Sequence, residues 1–116
     1  MTLDDIQKIC RSLENVTEDI KWGHDYCFNI GDKMFLVIGI DNTPVTASFK
    51  VKDEEFENLC SIENLKPAPY VARYKWVYTD NINKLSKKEW EHYITQSYSL
   101  IKSKLTKKKL KQLNNL

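Results

Sequence analysis

The residues with the clearest chemical potential lie in one segment, where aromatic and basic side chains follow two prolines. In the sequence PAPYVARYKWVYTD of residues 67–80, Arg73 and Lys75 alternate with tyrosines and a tryptophan. Cationic side chains pair with phosphates and aromatic rings stack on bases, so this mixture is typical of surfaces that contact nucleic acids or other anionic partners. The prolines favour an extended approach, and the alternation that follows predicts a strand with one cationic face.

A nucleic-acid-binding patch is therefore the leading functional hypothesis. If Trp76 faces the core, Lys75 faces outward and Arg73 shares its outward face, because successive side chains of a strand alternate. We predict that these two cations form the centre of the patch. The other residues assigned to it are Tyr74, Lys66, Lys50, Lys52 and the C-terminal lysines Lys107, Lys108 and Lys109.

Residue types that carry out catalysis are few and isolated. His24 and His92 are the only histidines, and His24 lies beside Asp25, although a carboxylate that orients a catalytic base rarely sits at the next position. No phosphate-binding loop, nucleophile elbow or zinc-protease motif occurs. The three cysteines form no CxxC pair, which predicts reduced, buried thiols: Cys10, Cys27 and Cys60. We predict no catalytic residue, no metal site and no cofactor, and hence a protein that is not an enzyme.

The net charge of +2 conceals an uneven distribution along the chain. Six lysines follow Ile101 and no acidic residue does, which leaves 12 basic against 16 acidic residues in the first 101. A body of that sign does not attract a phosphate backbone as a whole. Any contact with nucleic acid must come from a local patch or from the C-terminal lysines.

Length and hydropathy predict one domain that does not enter a membrane. A chain of 116 residues is long enough for a single core, and no apolar run approaches the ~20 residues of a membrane helix. The acidic N-terminal residues lack the apolar run of a signal peptide. We expect a cytoplasmic protein, monomeric or weakly dimeric, with a single domain over residues 1–106 and a frayed basic tail over residues 107–116.

The helices and strands that must position these residues can be predicted from apolar periodicity and turn signals. These patterns predict an α+β fold of order α-β-β-β-α-β-α, in which helices pack against an antiparallel meander. Residues 18–25 are predicted to connect the first helix to the first strand. The predicted elements are a helix capped by Thr2 and Asp5, strands over 26–30, 33–40 and 45–51, a short helix capped by Asp53, a strand over 74–79, and a helix that begins at the capping box Ser86–Glu89.

Several short motifs, in this order and spacing, resemble the MmcQ/YjbR family of small bacterial proteins. They are Trp22-Gly23-His24-Asp25, Lys33-Met34-Phe35, Pro67-Ala68-Pro69-Tyr70, Trp76, and Ser97-Tyr98 followed by Leu105 and lysines. The resemblance covers about residues 3–109 and implies a CyaY-like α+β fold. It also implies DNA binding, because members are described as DNA-binding proteins with a double-wing arrangement. It implies no cofactor and no catalytic residues.

A second class of function stays open at this point. The acidic body and the aromatic side chains are also compatible with a module that binds a protein or a small ligand and has no affinity for nucleic acid. Such a site is expected beside the segment from Pro67 to Tyr70. Positive charge confined to the tail would favour this alternative, whereas a uniformly positive sheet face would favour DNA binding.

Overall fold

A six-stranded antiparallel sheet forms the centre of the computed structural model, which describes residues 1–61 and 64–114. The strands lie in the order β1-β2-β3-β4-β6-β5. The α+β class and the antiparallel sheet are thus confirmed. The elements are α1 Leu3–Arg11, β1 Val16–Lys21, β2 Asp25–Ile30, β3 Lys33–Gly39, β4 Thr46–Lys50, α2 Asp53–Cys60, β5 Lys66–Pro67, a 3₁₀ turn Ala72–Tyr74, β6 Trp76–Thr79, a 3₁₀ turn Ile82–Lys84, α3 Lys87–Lys102 and α4 Lys107–Asn114.

The register of the strands assigns the side chains to two faces. Leu36 lies opposite Phe28 and Phe49, and Phe49 lies opposite Val77, so these residues share one face. Helix α3 covers that face, where the ring of Phe49 meets Trp90 at a centroid distance of 5.6 Å. We call the opposite side the open face. A row across it carries Cys27, Val37, Ser48 and Tyr78.

Ser97 joins α3 to the sheet at an irregularity in β3. The pairing shifts between Phe28 and Asn29, which leaves Phe35 as an extra residue of β3. The buried Ser97 hydroxyl donates to the Phe35 carbonyl oxygen at 2.6 Å and accepts from the backbone N–H of Lys50 at 3.0 Å. Two backbone groups that lack ladder partners are thereby satisfied, and Lys50 is fixed at the end of β4.

Both predicted capping boxes are confirmed. At the start of α1 the Thr2 hydroxyl accepts from the Asp5 backbone N–H, and the Asp5 carboxylate accepts from the Thr2 backbone N–H. Ser86 and Glu89 make the same two hydrogen bonds at the start of α3. The predicted cap of α2 is wrong: Asp53 is the first helical residue, and Lys52 occupies the N-cap position without a side-chain hydrogen bond.

Two parts of the sheet differ from the sequence prediction. The predicted connection over residues 18–25 contains most of β1, which runs along β2 at the edge of the sheet. Its sequence VTEDIK has no strong apolar alternation, because an edge strand buries little. The two-residue strand β5 was also not predicted. It pairs through Lys66 and Pro67 with β6.

The C-terminal lysines lie on a helix rather than on the frayed tail that the sequence predicts. Helix α4 packs Leu110 and Leu113 against the core. Beside the β2–β3 turn, a Cβ built on Gly31 would stand 3.2 Å from Leu105 Cδ1 and 3.4 Å from Lys109 Cε. Leu110 and Leu113 therefore hold α4 against the body of the protein.

Candidate nucleic-acid interface

A cavity of about 650 Å³ contains three of the eight basic residues that the sequence assigns to one patch, namely Lys50, Arg73 and Lys75. It lies where β3, β4, the segment before β6 and the end of α3 meet. We call it the basic cavity. Its lining contains the six cations Lys21, Lys33, Lys50, Arg73, Lys75 and Lys104, the two carboxylates Asp32 and Asp53, and Met34, Tyr74, Trp76 and Ile101.

The segment before β6 positions two of these cations by a turn, not by strand alternation. Residues 72–74 form a 3₁₀ turn, and Lys75 follows it in the left-handed region with φ 65°. The predicted strand over residues 74–79 is therefore wrong at its start, since β6 begins at Trp76. Arg73, Tyr74 and the left-handed Lys75 are consecutive, yet all three line the same cavity, which alternation along a strand would not allow.

Aromatic rings hold both cations of this turn. The Arg73 guanidinium carbon lies 4.8 Å from the centroid of the Tyr74 ring, and the Lys75 ammonium lies 5.0 Å from that of Phe56. Such cation–π contacts are worth about 0.5–1 kcal/mol at exposed sites. They restrict the side chains without neutralising them, so the charges remain available to an anion.

Lys50 is the most enclosed cation of the cavity. Its side chain is buried, and its ammonium donates to the Tyr74 carbonyl oxygen at 2.6 Å. Burial lowers the pKa of Lys50, and the charges of Lys104 and Lys75 lower it further, while Asp53 opposes them. Burial is thus the main reason that the charged form of Lys50 is disfavoured, and the neighbouring cations add to it.

The structure brings together some of the predicted site residues and separates others. Arg73, Tyr74, Lys75 and Lys50 line the basic cavity, and Lys52 lines a neighbouring depression that shares Lys50 and Lys104 with it. Lys66 lies outside both, with its ammonium 3.5 Å from an Asp80 carboxylate oxygen. On α4, Lys107 and Lys108 are exposed, and Lys109 lies beside Gly31.

Three cations of the cavity were missed by the sequence analysis. Lys33 directly follows the Gly31-Asp32 turn, which was recognised, so its place near the turn could have been inferred. Lys21 ends the unpredicted strand β1, and Lys104 follows the end of α3. Their proximity to Arg73 depends on tertiary packing and carries no local signal.

A second, apolar depression of about 340 Å³ lies on the open face of the sheet, and we call it the apolar cleft. Its floor consists of Met34, Val37, Ser48 and Trp76. Trp22 borders it from the β1–β2 loop, and Pro69, Tyr70 and Val71 border it from the β5–β6 connection. Because β1 and β5 are the opposite edges of the sheet, two loops from distant edges converge over one cleft.

The two aromatic residues at the border of the cleft are both exposed and conformationally strained. Trp22 is 66% exposed and Tyr70 is 98% exposed. Their φ angles are 54° and 67°, in the left-handed region that costs a non-glycine residue about 1 kcal/mol or more. Strain of this kind concentrates at functional sites, where the surrounding structure maintains it.

The two histidines and the three cysteines do not line the basic cavity or the apolar cleft. His24 and His92 are exposed, and no three His, Cys, Asp or Glu residues cluster as metal ligands within residues 1–61 and 64–114. Burial raises the pKa of the Cys27 thiol to about 11 and raises that of Cys10 still further. At neutral pH these thiols are therefore protonated and weak nucleophiles.

Comparison with protein-family models gives one match, to the model named YjbR, over residues 11–100. The chain belongs to the YjbR family. The match runs from the last residue of α1 to Leu100 in α3 and includes the lining of the basic cavity apart from Ile101 and Lys104. This confirms the resemblance that the short motifs carry. A search of the curated proteins finds no match.

Two solved structures share the fold of this YjbR-family chain. A Deinococcus radiodurans protein with a DUF419 domain has a TM-score of 0.86 and 23% identity, covering 97% of this chain and 88% of its own. A Pseudomonas syringae protein has a TM-score of 0.71 and 19% identity, covering 86% of this chain and 98% of its own. At these identities the likeness concerns the fold. Among the residues that the structure describes, no helix has the length and apolarity to cross a membrane.

Proposed function

We propose that this YjbR-family chain binds DNA through the basic cavity. The observation that carries the proposal is the segregation of charge on the body of the protein. Five of the 12 basic residues before Ile101 line the cavity, against two of the 16 acidic residues. The positive charge is therefore not confined to the C-terminal lysines, and confinement to those lysines was the condition that would favour the alternative.

The contacts of the cavity suit phosphate more than base edges. Arg73 and Lys75 are oriented by aromatic rings, so each can meet a phosphate oxygen at little further cost in side-chain entropy. Lys104 is exposed and also accessible to a phosphate. Phosphate contacts fix the position of a protein on DNA and carry no direct sequence information. The proposed binding is thus largely independent of sequence, which also accords with the DNA-binding role that the family resemblance implies.

Helix α4 extends the same electrostatic surface. Its Lys109 side chain lies beside Gly31, and the next residues along the chain, Asp32 and Lys33, line the cavity. Lys107 and Lys108 are exposed on the same helix. We propose that these lysines add affinity to binding by the cavity.

Binding of a small apolar or aromatic ligand is the second candidate. It rests on the apolar cleft, which lies beside Pro69 and Tyr70, where the sequence analysis expected a ligand site. The volume of about 340 Å³ is at the small end of ligand pockets. Anisotropy measurements separate the two functions, because a ligand-binding module without nucleic-acid affinity leaves labelled DNA free at every salt concentration.

Fluorescence anisotropy with labelled duplex and single-stranded oligonucleotides, at two salt concentrations, tests the proposal. We expect binding at low salt that weakens as salt rises, with a log–log slope of ~0.9 for each phosphate neutralised on duplex DNA. In a matched variant, Lys107, Lys108 and Lys109 are replaced by glutamine, which keeps the apolar contacts of α4. This variant should bind more weakly and still bind. Complete loss would mean that α4, not the cavity, is the binding element, and no binding by the wild type at low salt would exclude DNA binding.

A further inference from the structure

We infer that the apolar cleft holds an unpaired base of single-stranded DNA whose backbone lies in the basic cavity. The inference rests on the proposed function and specifies its substrate: a single strand in preference to a duplex. It draws on the continuity of the two depressions, the position of Trp22 and Tyr70, and the size of the cleft.

The two depressions are adjacent because they share part of their lining. Met34 and Trp76 border both the apolar cleft and the basic cavity. A nucleotide carries a flat aromatic base and a negative phosphate joined through one sugar. A site with an apolar compartment beside a cationic one matches that division. The two side chains shared by the compartments lie on β3 and β6, the strands on either side of β4.

The exposed aromatic rings suit stacking on a base. Trp22 and Tyr70 lie on loops from opposite edges of the sheet and border the same cleft. Because both side chains are largely exposed, they contribute little to the core of this chain, and both residues have left-handed backbone conformations. Stacking on aromatic side chains is tolerant of sequence, because every base presents a π-face. In this arrangement the apolar cleft binds a base of any sequence, and the basic cavity binds the phosphates.

The dimensions of the cleft select against duplex DNA. A volume of about 340 Å³ between two loops accommodates a small planar group and no double helix. Paired bases are stacked inside the duplex, and rotating one of them out costs a few kcal/mol. A single strand has largely free bases and does not pay that cost. Its affinity should therefore exceed that of a duplex with the same number of available phosphates.

Three probes of equal length test the inference: a single strand, the corresponding duplex and an abasic single strand that keeps the phosphates. Wild type should bind the single strand about tenfold or more tightly than the abasic strand, in line with the free energy of stacking one base. Trp22→Ala and Tyr70→Ala should bind the single strand and the abasic strand alike, with an unchanged affinity for the abasic strand. Tyr70→Phe, which keeps the ring, should retain the preference of the wild type. Ile20→Ala is the matched control, because Ile20 is 57% exposed and does not line the cleft.

The outcomes distinguish this inference from the proposed function. Equal, salt-dependent affinity of the wild type for all three probes would overturn the base-binding cleft and leave phosphate binding by the cavity intact. A preference for the duplex, or unaltered selectivity in Trp22→Ala and Tyr70→Ala, would also overturn it. Failure to bind any of the probes at low salt would exclude the proposed function itself. Circular dichroism of each variant confirms that the fold is retained.

Discussion

The ammonium of Lys50 donates a hydrogen bond of 2.6 Å to the carbonyl oxygen of Tyr74, joining the end of β4 to the turn that carries Arg73 and Lys75. A buried cation thus holds in place the segment that presents two other cations. Because the same lysine lines the basic cavity, it contributes both to the geometry of the site and to its charge.

Replacing Lys50 by methionine should change how stability and DNA binding depend on alkaline pH. The pKa of Lys50 in the folded protein is lowered below its ordinary value of 10.5, chiefly by burial. Between the lowered and the ordinary pKa the unfolded chain binds more protons, so this residue makes the free energy of unfolding rise with pH. Over the same range the cavity loses a charge and the wild type should lose DNA affinity.

Urea unfolding and anisotropy, both measured from neutral pH upward, check this prediction. Lys50→Met should lack the rise in unfolding free energy, and its weaker DNA binding should depend less on pH. The difference in affinity between the two proteins should therefore narrow as pH approaches 10.5. Parallel pH profiles for wild type and Lys50→Met would show that Lys50 titrates like an exposed lysine.

Replacing Ser97 by alanine should destabilise the protein by about 1–3 kcal/mol, since a buried N–H and a buried carbonyl lose their partner. The affected groups are the backbone N–H of Lys50 and the carbonyl of Phe35. Ser99→Ala is the matched control on the exposed side of α3 and should change the free energy of unfolding by less than about 0.5 kcal/mol. Equal effects of the two substitutions in urea unfolding would contradict the role given to Ser97.

Replacing Gly31 by alanine should cost more stability than replacing Gly23 by alanine. Both glycines have positive φ angles, 65° and 80°, so both substitutions carry the backbone penalty of about 1 kcal/mol. Only at Gly31 does the new Cβ meet a neighbour, Leu105 Cδ1 at 3.2 Å. Thermal unfolding of the two variants measures the difference. If Gly23→Ala were the more destabilising, Leu105 would not pack against this turn.

The sequence predicted those parts of the structure that depend on local signals. The capping boxes of Thr2 and Ser86 and the Gly31-Asp32 turn each involve residues within a few positions of one another. Edge strand β1 was missed because its residues alternate poorly between apolar and polar. It is a strand because its backbone is hydrogen-bonded to β2, and the local sequence pattern does not indicate that pairing.

The sequence predicted the two central cations of the candidate site but not all of the cations that surround them. Arg73 and Lys75 stood out because aromatic residues flank them, and both line the cavity. Their expected placement on one strand face was wrong, since the left-handed Lys75 breaks the alternation before β6 begins. Lys66 was assigned to the patch from its position in the sequence, but β5 directs it toward Asp80. Lys104, which follows the end of α3, is 29 positions away from Lys75 in the chain, so only the tertiary fold reveals that both line the cavity.

The salt dependence of DNA binding by single-lysine variants tests the central claim most directly. Lys104→Ala removes an exposed cation of the basic cavity, and Lys66→Ala removes one outside it. With a labelled single strand, Lys104→Ala should lower the magnitude of the log–log slope of affinity against salt by ~0.7, the value for one phosphate contact on a single strand. Lys66→Ala should leave the slope unchanged. Equal slopes for wild type and Lys104→Ala, or a loss confined to Lys66→Ala, would contradict DNA binding through the basic cavity.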